Sequence, residues 1–420
     1  MKRKKLIQII LILNLVSAFL LIAHNNAPIL LSFQYGWGPV FLITLAIFYI
    51  DFWKSKLIIF NLFFYAIFVF VLPKILWTEM SSWYRIRHLI EPLIVIIASS
   101  VFFYLSRNIQ KLDWFRLSKL GIIFIAITSL STLIAIQINP MAVRASYSGL
   151  QFEIEGFQLL KRIGIATYGF MMALVMLIPM LIYLLRHGKK NKKWILFLLI
   201  LTYITVIRAS ILANLLLAIV ITLFASLGST KSKRSIFSMF FVIFIILLIP
   251  ENYWSDILIY VSEFFESGSL LNRKLVDFSI YISGDHIYSS TTGAGLRVNR
   301  YSMLWEAFTA KPLTGDASYN SSFNIEMLEG GHLYWMSRLA LWGVLGFIFY
   351  VIFLFINFRF IWKRIPNESK YYFLLSIIAF CALGFMKSLN YSEPMLVLFV
   401  IIPGLLYWND SIIKSDDSRN

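Results

Sequence analysis

The chain reads as an all-α, polytopic integral membrane protein of about twelve transmembrane helices with a large extracytoplasmic loop containing short helices. Three observations predict this fold class. Hydrophobic residues make up 59% of the 420 residues, above the roughly 45–50% of ordinary soluble domains. They are gathered into long uninterrupted blocks. The cations lie between those blocks instead of clustering on one surface.

About 20 apolar residues at 1.5 Å rise cross a hydrocarbon core of about 30 Å, and helices satisfy their own backbone there. The blocks are Leu6–Ala23, Ile29–Ile50, Leu57–Leu76, Leu89–Leu105, Leu120–Gln137, Ile163–Leu185, Trp194–Ile207, Ile211–Leu227, Ile236–Pro250, Tyr334–Ile356, Tyr371–Lys387 and Met395–Trp408. The first follows Met1-Lys2-Arg3-Lys4-Lys5 and ends at Asn25-Asn26 without a small-x-small cleavage site, so it is expected as a retained span. Gln34, Gly36 and Gly38 interrupt the second. The seventh and eighth meet at Arg208-Ala209-Ser210, where a turn is expected between two helices.

With the amino terminus inside, the inner connections hold roughly two thirds of the 38 lysines and arginines, as the positive-inside rule requires. Both termini are then cytoplasmic. The net charge of +17 follows from this distribution, and no contiguous basic face for nucleic acid is expected. The single cysteine, Cys381, excludes an intramolecular disulfide and is expected as a small packing residue inside an apolar block.

Residues 1–420 form one polytopic domain on this reading, with residues 251–333 as the large outer loop inside it. Such a long connection is more than a passive link. Within it, Phe264, Phe265, Leu271, Leu275, Phe278 and Ile282 recur at helical spacing between charged residues, predicting an interfacial helix over Tyr260–Ile282. Ser283–Gly295 is turn-rich. A short helix is expected over Tyr301–Thr309, stopped by Lys311-Pro312.

Several residues carry possible chemistry. Arg208 sits at a helix end on the outer side, where it either snorkels or meets a partner. Arg273, Arg297, Arg300 and Arg338 join it on the outer face, where few cations are expected. They suit bidentate phosphate contact, or they offset Glu306, Asp316, Glu326 and Glu329. His332 stands where the loop re-enters the membrane, as an interfacial hydrogen-bonding residue or a general base. Gly343 and Gly346 follow on the same helix and permit close packing. Lys74, Glu91, Arg338 and Lys387 are ionisable residues near block ends. Walker-type loops, His-Glu-x-x-His and paired cysteine ligands are absent from the sequence.

These features resemble the O-antigen polymerase and O-antigen ligase family of bacterial envelope glycosyltransferases. Arg208-Ala-Ser-Ile-Leu212 is similar to the family's Arg-x3-Leu element. His332-Leu333, nine residues and Gly343-Val344-Leu345-Gly346 match its His-[Asn/Ser/Gln]-x9-Gly-x-x-[Gly/Thr/Tyr] element, except that Leu333 replaces a polar residue. Arg300 and Pro312-Leu-Thr-Gly315 resemble its loop run.

The resemblance implies residence in the bacterial cytoplasmic membrane and transfer of glycan from undecaprenyl pyrophosphate to an acceptor sugar hydroxyl. Polymerisation of lipid-linked repeats for O-antigen, capsule or exopolysaccharide is the favoured expectation. Transfer to a lipid, protein or wall acceptor by a ligase is the alternative. A flippase is the reading from another class, although no internal repeat is seen. His332, Arg208 and Arg300 are the expected catalytic residues. Arg297, Arg273 and Arg338 are expected to bind pyrophosphate or glycan. Glu306 and Glu329 are less favoured substitutes for His332 as base. No cofactor is implied, metal independence is expected, and the partners implied are the polyprenyl-linked donor and acceptor, membrane lipid and a chain-length regulator.

Overall fold

A computed structural model describes residues 37–76, 82–139, 142–143, 165–188, 191–209, 212–227, 251–265, 267, 270–282, 293–315, 333–387, 389 and 392–406. The protein is an all-α, multi-pass membrane protein. Among the described residues, six helices are long and apolar enough to cross a membrane. The expected spans Leu6–Ala23 and Ile236–Pro250 lie outside the described residues.

The chain forms α1 (Trp37–Phe48), a short α2 (Ile50–Trp53) and α3 (Lys56–Ile75). Then come α4 (Ser82–Asn108), α5 (Lys111–Ile138), α6 (Tyr168–His187), α7 (Lys192–Arg208) and α8 (Leu212–Leu227). After residue 250 follow α9 (Glu251–Glu263), α10 (Leu270–Ile282) and α11 (Gly293–Ala310). The chain returns through α12 (Tyr334–Trp362) and α13 (Lys370–Met386). It closes with α14, built from Ser392–Leu396, a π-helical turn Val397–Ile401 and Ile402–Leu405.

The centre of the bundle is α6, whose residues 169–184 are buried all round, the pattern of a helix enclosed by other helices. Thr167 caps it by accepting from the Phe170 N–H at 3.0 Å. Helices α7, α8, α13 and α14 surround it. Outer helices instead expose large apolar side chains, including Ile47, Phe63, Ile134, Ile200 and Phe355, which in water would be a liability and in lipid are solvated.

Helix α14 contains Pro403, whose missing N–H breaks the ladder. The preceding π-helical turn leaves the Val400 carbonyl to accept from Trp114 Nε1 at 3.1 Å and Ser118 Oγ at 3.3 Å on α5. Between α3 and α12, Asn61 and Asn357 exchange side-chain hydrogen bonds of 3.0 Å, and Asn61 also donates to Ser99 Oγ on α4 at 2.9 Å. Phe64 stacks on Phe353 at 4.0 Å. Polar pairs of this kind fix helix register where apolar contacts alone do not discriminate.

Three local expectations change. The helix expected over Tyr260–Ile282 is two helices, α9 and α10, packed as a hairpin through Leu258 and Leu275. Turn formers in Glu266-Ser267-Gly268-Ser269 outweigh the apolar spacing. The helix expected over Tyr301–Thr309 starts earlier, at Gly293, and stops before Lys311-Pro312. Cys381 is exposed on α13; one face of a peripheral apolar helix has no protein to pack against.

Candidate functional site

The helices that carry Arg208, Arg273, Arg300 and Arg338 pack in succession. Helix α7 ends at Arg208 and α8 begins at Leu212, as the turn at Arg208-Ala209-Ser210 requires. Ile207 and Leu215, on either side of that turn, pack against the Leu258–Leu275 contact of the α9–α10 hairpin. Helix α10, bearing Arg273, packs on α8 and on α11, and α11 packs on α12. Arg208 and Arg273 have exposed side chains.

Arg300 lies on α11 with Leu304 and Ala307 at helical spacing i, i+4 and i+7. Leu304 and Ala307 are almost fully buried in the main core. Arg300 therefore stands at the edge of the face that α11 buries. Its Nε and Nη2 are buried and have no hydrogen-bond partner among the described residues. Desolvation lowers its pKa from the ordinary guanidinium value, because burial penalises the charged form. Shielded guanidinium nitrogens without a partner are uncommon and are candidates for contact with a ligand. Arg297 lies on the same helix, with its side chain outside the described residues, and so does His332 altogether.

The two glycine-containing motifs meet. At Gly343, φ is 62° and ψ is −177°, a region essentially confined to glycine. The break frees the N–H groups of Val344 and Leu345, which donate to the carbonyls of Pro312 at 2.8 Å and Leu313 at 3.2 Å. Gly315, at φ 73°, lies against Leu341 and Gly343, and a Cβ on either glycine would strike the opposing backbone. Gly343 was expected to admit a neighbouring helix; it admits the Pro312–Gly315 segment instead. Gly343→Ala combines this clash with a disfavoured φ, so it is expected to undock Pro312–Gly315. Chymotrypsin cleavage after Leu313 in detergent-solubilised protein should accelerate at least tenfold relative to wild type, in keeping with local opening made easier by about 1.4 kcal/mol or more.

Leu333 precedes α12 in the left-handed conformation, φ 59° and ψ 52°, which costs a non-glycine residue about 1–2 kcal/mol. The Tyr334 N–H donates to the Lys387 carbonyl at 3.2 Å and Trp335 Nε1 to the Cys381 carbonyl at 2.7 Å, holding the strained entry against α13. Asparagine tolerates this conformation better than leucine. This strain marks the start of α12.

Arg338 is placed differently from the exposed arginines. It is buried and forms a bidentate ion pair with Glu91 on α4, its Nε donating to Oε2 at 2.8 Å and its Nη2 to Oε1. Tyr334 Oη also donates to Glu91 Oε2 at 3.1 Å and contacts Tyr350 Oη at 3.2 Å. The guanidinium lies over the rings of Tyr334 and Trp342 at 4.9 and 5.3 Å. Its charge is matched by Glu91, so this group is suited to clamping α12 on α4.

Sequence reasoning listed Glu91 without pairing it to Arg338; two opposite charges in apolar blocks were the available signal, since such residues pair. It missed Asn214, which is 1% exposed on α8 just after the Arg208 turn. Neither amide atom of Asn214 has a partner among the described residues. Among the described residues, no group of three or more His, Cys, Asp or Glu side chains is placed to hold a metal ion. Comparison with known protein families and with curated proteins finds no match to this chain.

Proposed function

We propose that the protein polymerises lipid-linked oligosaccharide repeat units, transferring glycan from undecaprenyl pyrophosphate to an acceptor sugar hydroxyl on the extracytoplasmic face of the cytoplasmic membrane. The observation that carries the reading is the half-buried Arg300, whose shielded Nε and Nη2 lack partners among the described residues. It lies on the helix that leads into Pro312–Gly315, the segment docked at Gly343. Parts of two of the three sequence elements that resemble the polymerase and ligase family, Pro312–Gly315 and Gly343, are thus in contact.

In this reaction the acceptor oxygen attacks the anomeric carbon, and the bond from that carbon to the pyrophosphate oxygen breaks. Undecaprenyl pyrophosphate departs with the electron pair. The acceptor proton passes to His332, a general-base role worth about 10²- to 10⁴-fold. Negative charge grows on the leaving oxygen, and a guanidinium held in place beforehand stabilises the transition state more than the ground state. Arg300 takes this role together with Arg208, and Arg273 and Arg297 guide the anionic donor. Arg338, already matched by Glu91, holds α12 in place. On this reading the chain spans the membrane about twelve times, with both termini inside and residues 251–333 outside.

The test is the length distribution of lipid-linked and surface glycan in cells lacking the protein. Single repeat units that become long polymers on complementation are the expected result, unchanged in membranes treated with excess chelator. Long chains left unattached would assign a ligase instead, and normal surface polymer in the deletion strain would overturn the reading.

A further inference from the structure

The far end of α12 carries a second feature, independent of the glycan reading. Helices α3 and α12 run antiparallel: Phe68 meets Trp342, Phe64 meets Phe353 and Asn61 meets Asn357. Beyond the Asn61–Asn357 clamp the two helices part. They leave a groove of about 440 Å³ lined by Leu57, Phe60, Ile356 and Phe360, with Lys56, Arg359 and Lys363 at its rim. That volume falls within the roughly 300–1,000 Å³ of ordinary small-molecule sites.

The rim is chemically one-sided. Lys56, Arg359 and Lys363 are exposed, and none has an ion pair or side-chain hydrogen bond among the described residues. No carboxylate lines the groove. Nearby cations are engaged elsewhere: Lys54 lies 3.8 Å from Asp51, the Arg364 guanidinium sits 3.6 Å over the Phe360 ring, and Lys370 donates to Asn367 at 2.7 Å. Three like charges around one cavity repel each other unless an anion joins them.

A soluble anion accounts for the cations but has no use for the apolar walls. A neutral lipid accounts for the walls but leaves the cations unmatched. An anionic amphiphile satisfies both, and basic pockets between transmembrane helices take such headgroups. We infer that the groove between α3 and α12 binds an anionic phospholipid, its phosphate held by Lys56, Arg359 and Lys363 and its acyl chain lying along Leu57, Phe60, Ile356 and Phe360. The site is at the end of α12 opposite Tyr334, which the charge distribution places in the inner leaflet.

The test uses the full chain purified in an uncharged detergent and titrated with phosphatidylglycerol, phosphatidylcholine or inorganic phosphate. Bound lipid is read by native mass spectrometry and by the rise in thermal midpoint that ligand linkage produces. Phosphatidylglycerol is expected to bind and to raise the midpoint, with neither phosphatidylcholine nor inorganic phosphate doing so. Combining K56Q, R359Q and K363Q is expected to weaken phosphatidylglycerol about a hundredfold, or about fivefold for each cation. These side chains are exposed, so the variant's own unfolding midpoint without lipid should match wild type.

A control variant combines K192Q and K193Q, two exposed cations on α7 outside the groove, and should bind as wild type does. Equal binding of phosphatidylcholine, undiminished binding by the groove variant, or equal loss in the control would each overturn the site. Stabilisation by inorganic phosphate alone would overturn the lipid assignment.

Discussion

Under the proposed polymerase reading, Arg300→Ala is expected to lower polymer synthesis in membranes by about 10²- to 10³-fold at equal protein level, the range for removing one donor aimed at developing negative charge. The prediction rests on two guanidinium nitrogens that burial has removed from water without giving them a partner among the described residues. The lowered pKa has the same origin, since desolvation disfavours the charged form. A pyrophosphate oxygen would supply the missing acceptor and restore the interaction water no longer provides. Free protein is then left with an unfavourable group that substrate relieves.

Stability separates this role from a structural one. Removing a charge that supports the fold lowers the unfolding midpoint, whereas removing an unsatisfied buried charge leaves it unchanged or raises it. Arg300→Ala should therefore lose activity while the midpoint in detergent holds or rises. Arg300→Lys keeps a point charge and loses the planar fork, so it should recover only about a tenth of the lost rate or less. If the alanine variant instead loses activity in proportion to folded protein, Arg300 is a structural residue.

The membrane fold was legible because the bilayer imposes a simple rule on long apolar blocks, and the break at Arg208 was legible because charge and small residues interrupt one such block. The extent of α11 was not, because Gly293 and Gly295 read as turn formers and local spacing does not register the packing of α11 on α10 and α12. Arg300 was singled out in the sequence as an arginine suited to phosphate contact. Its missing partners were not legible, since they depend on the stripe of Leu304 and Ala307 entering the core. Gly343 was visible as a glycine at a motif spacing, but the docking of Pro312–Gly315 on it joins positions far apart in sequence, and no periodicity encodes that. Asn214 gave no sequence signal, because an asparagine in an apolar block is ordinarily hydrogen-bonded.

Glu91→Ala is expected to cost about 3–5 kcal/mol, the range for removing one partner of a buried ion pair. Both side chains are about 4% exposed, so Arg338 could not recover its lost interactions from water, and the Tyr334 hydroxyl would lose an acceptor as well. The damage should concentrate where α12 enters the membrane, because Arg338 and Tyr334 tie its first turns to α4. Glu91→Gln keeps the shape and part of the hydrogen bonding but leaves a net positive charge, so it should fall between wild type and alanine.

The informative comparison is the double variant. Replacing Glu91 by Leu and Arg338 by Met together removes the pair and its desolvation cost, and such exchanges are often neutral or stabilising by about 1–4 kcal/mol. The double variant should unfold near or above the wild-type midpoint, while each single replacement unfolds well below it. Its polymer synthesis then separates two roles for Arg338. Activity near wild type means the guanidinium acts by fixing α12 through Glu91, a task that packing can replace. Restored stability with activity still lost means that Arg338 engages the anionic donor itself, and Glu91 holds it there until the pyrophosphate arrives.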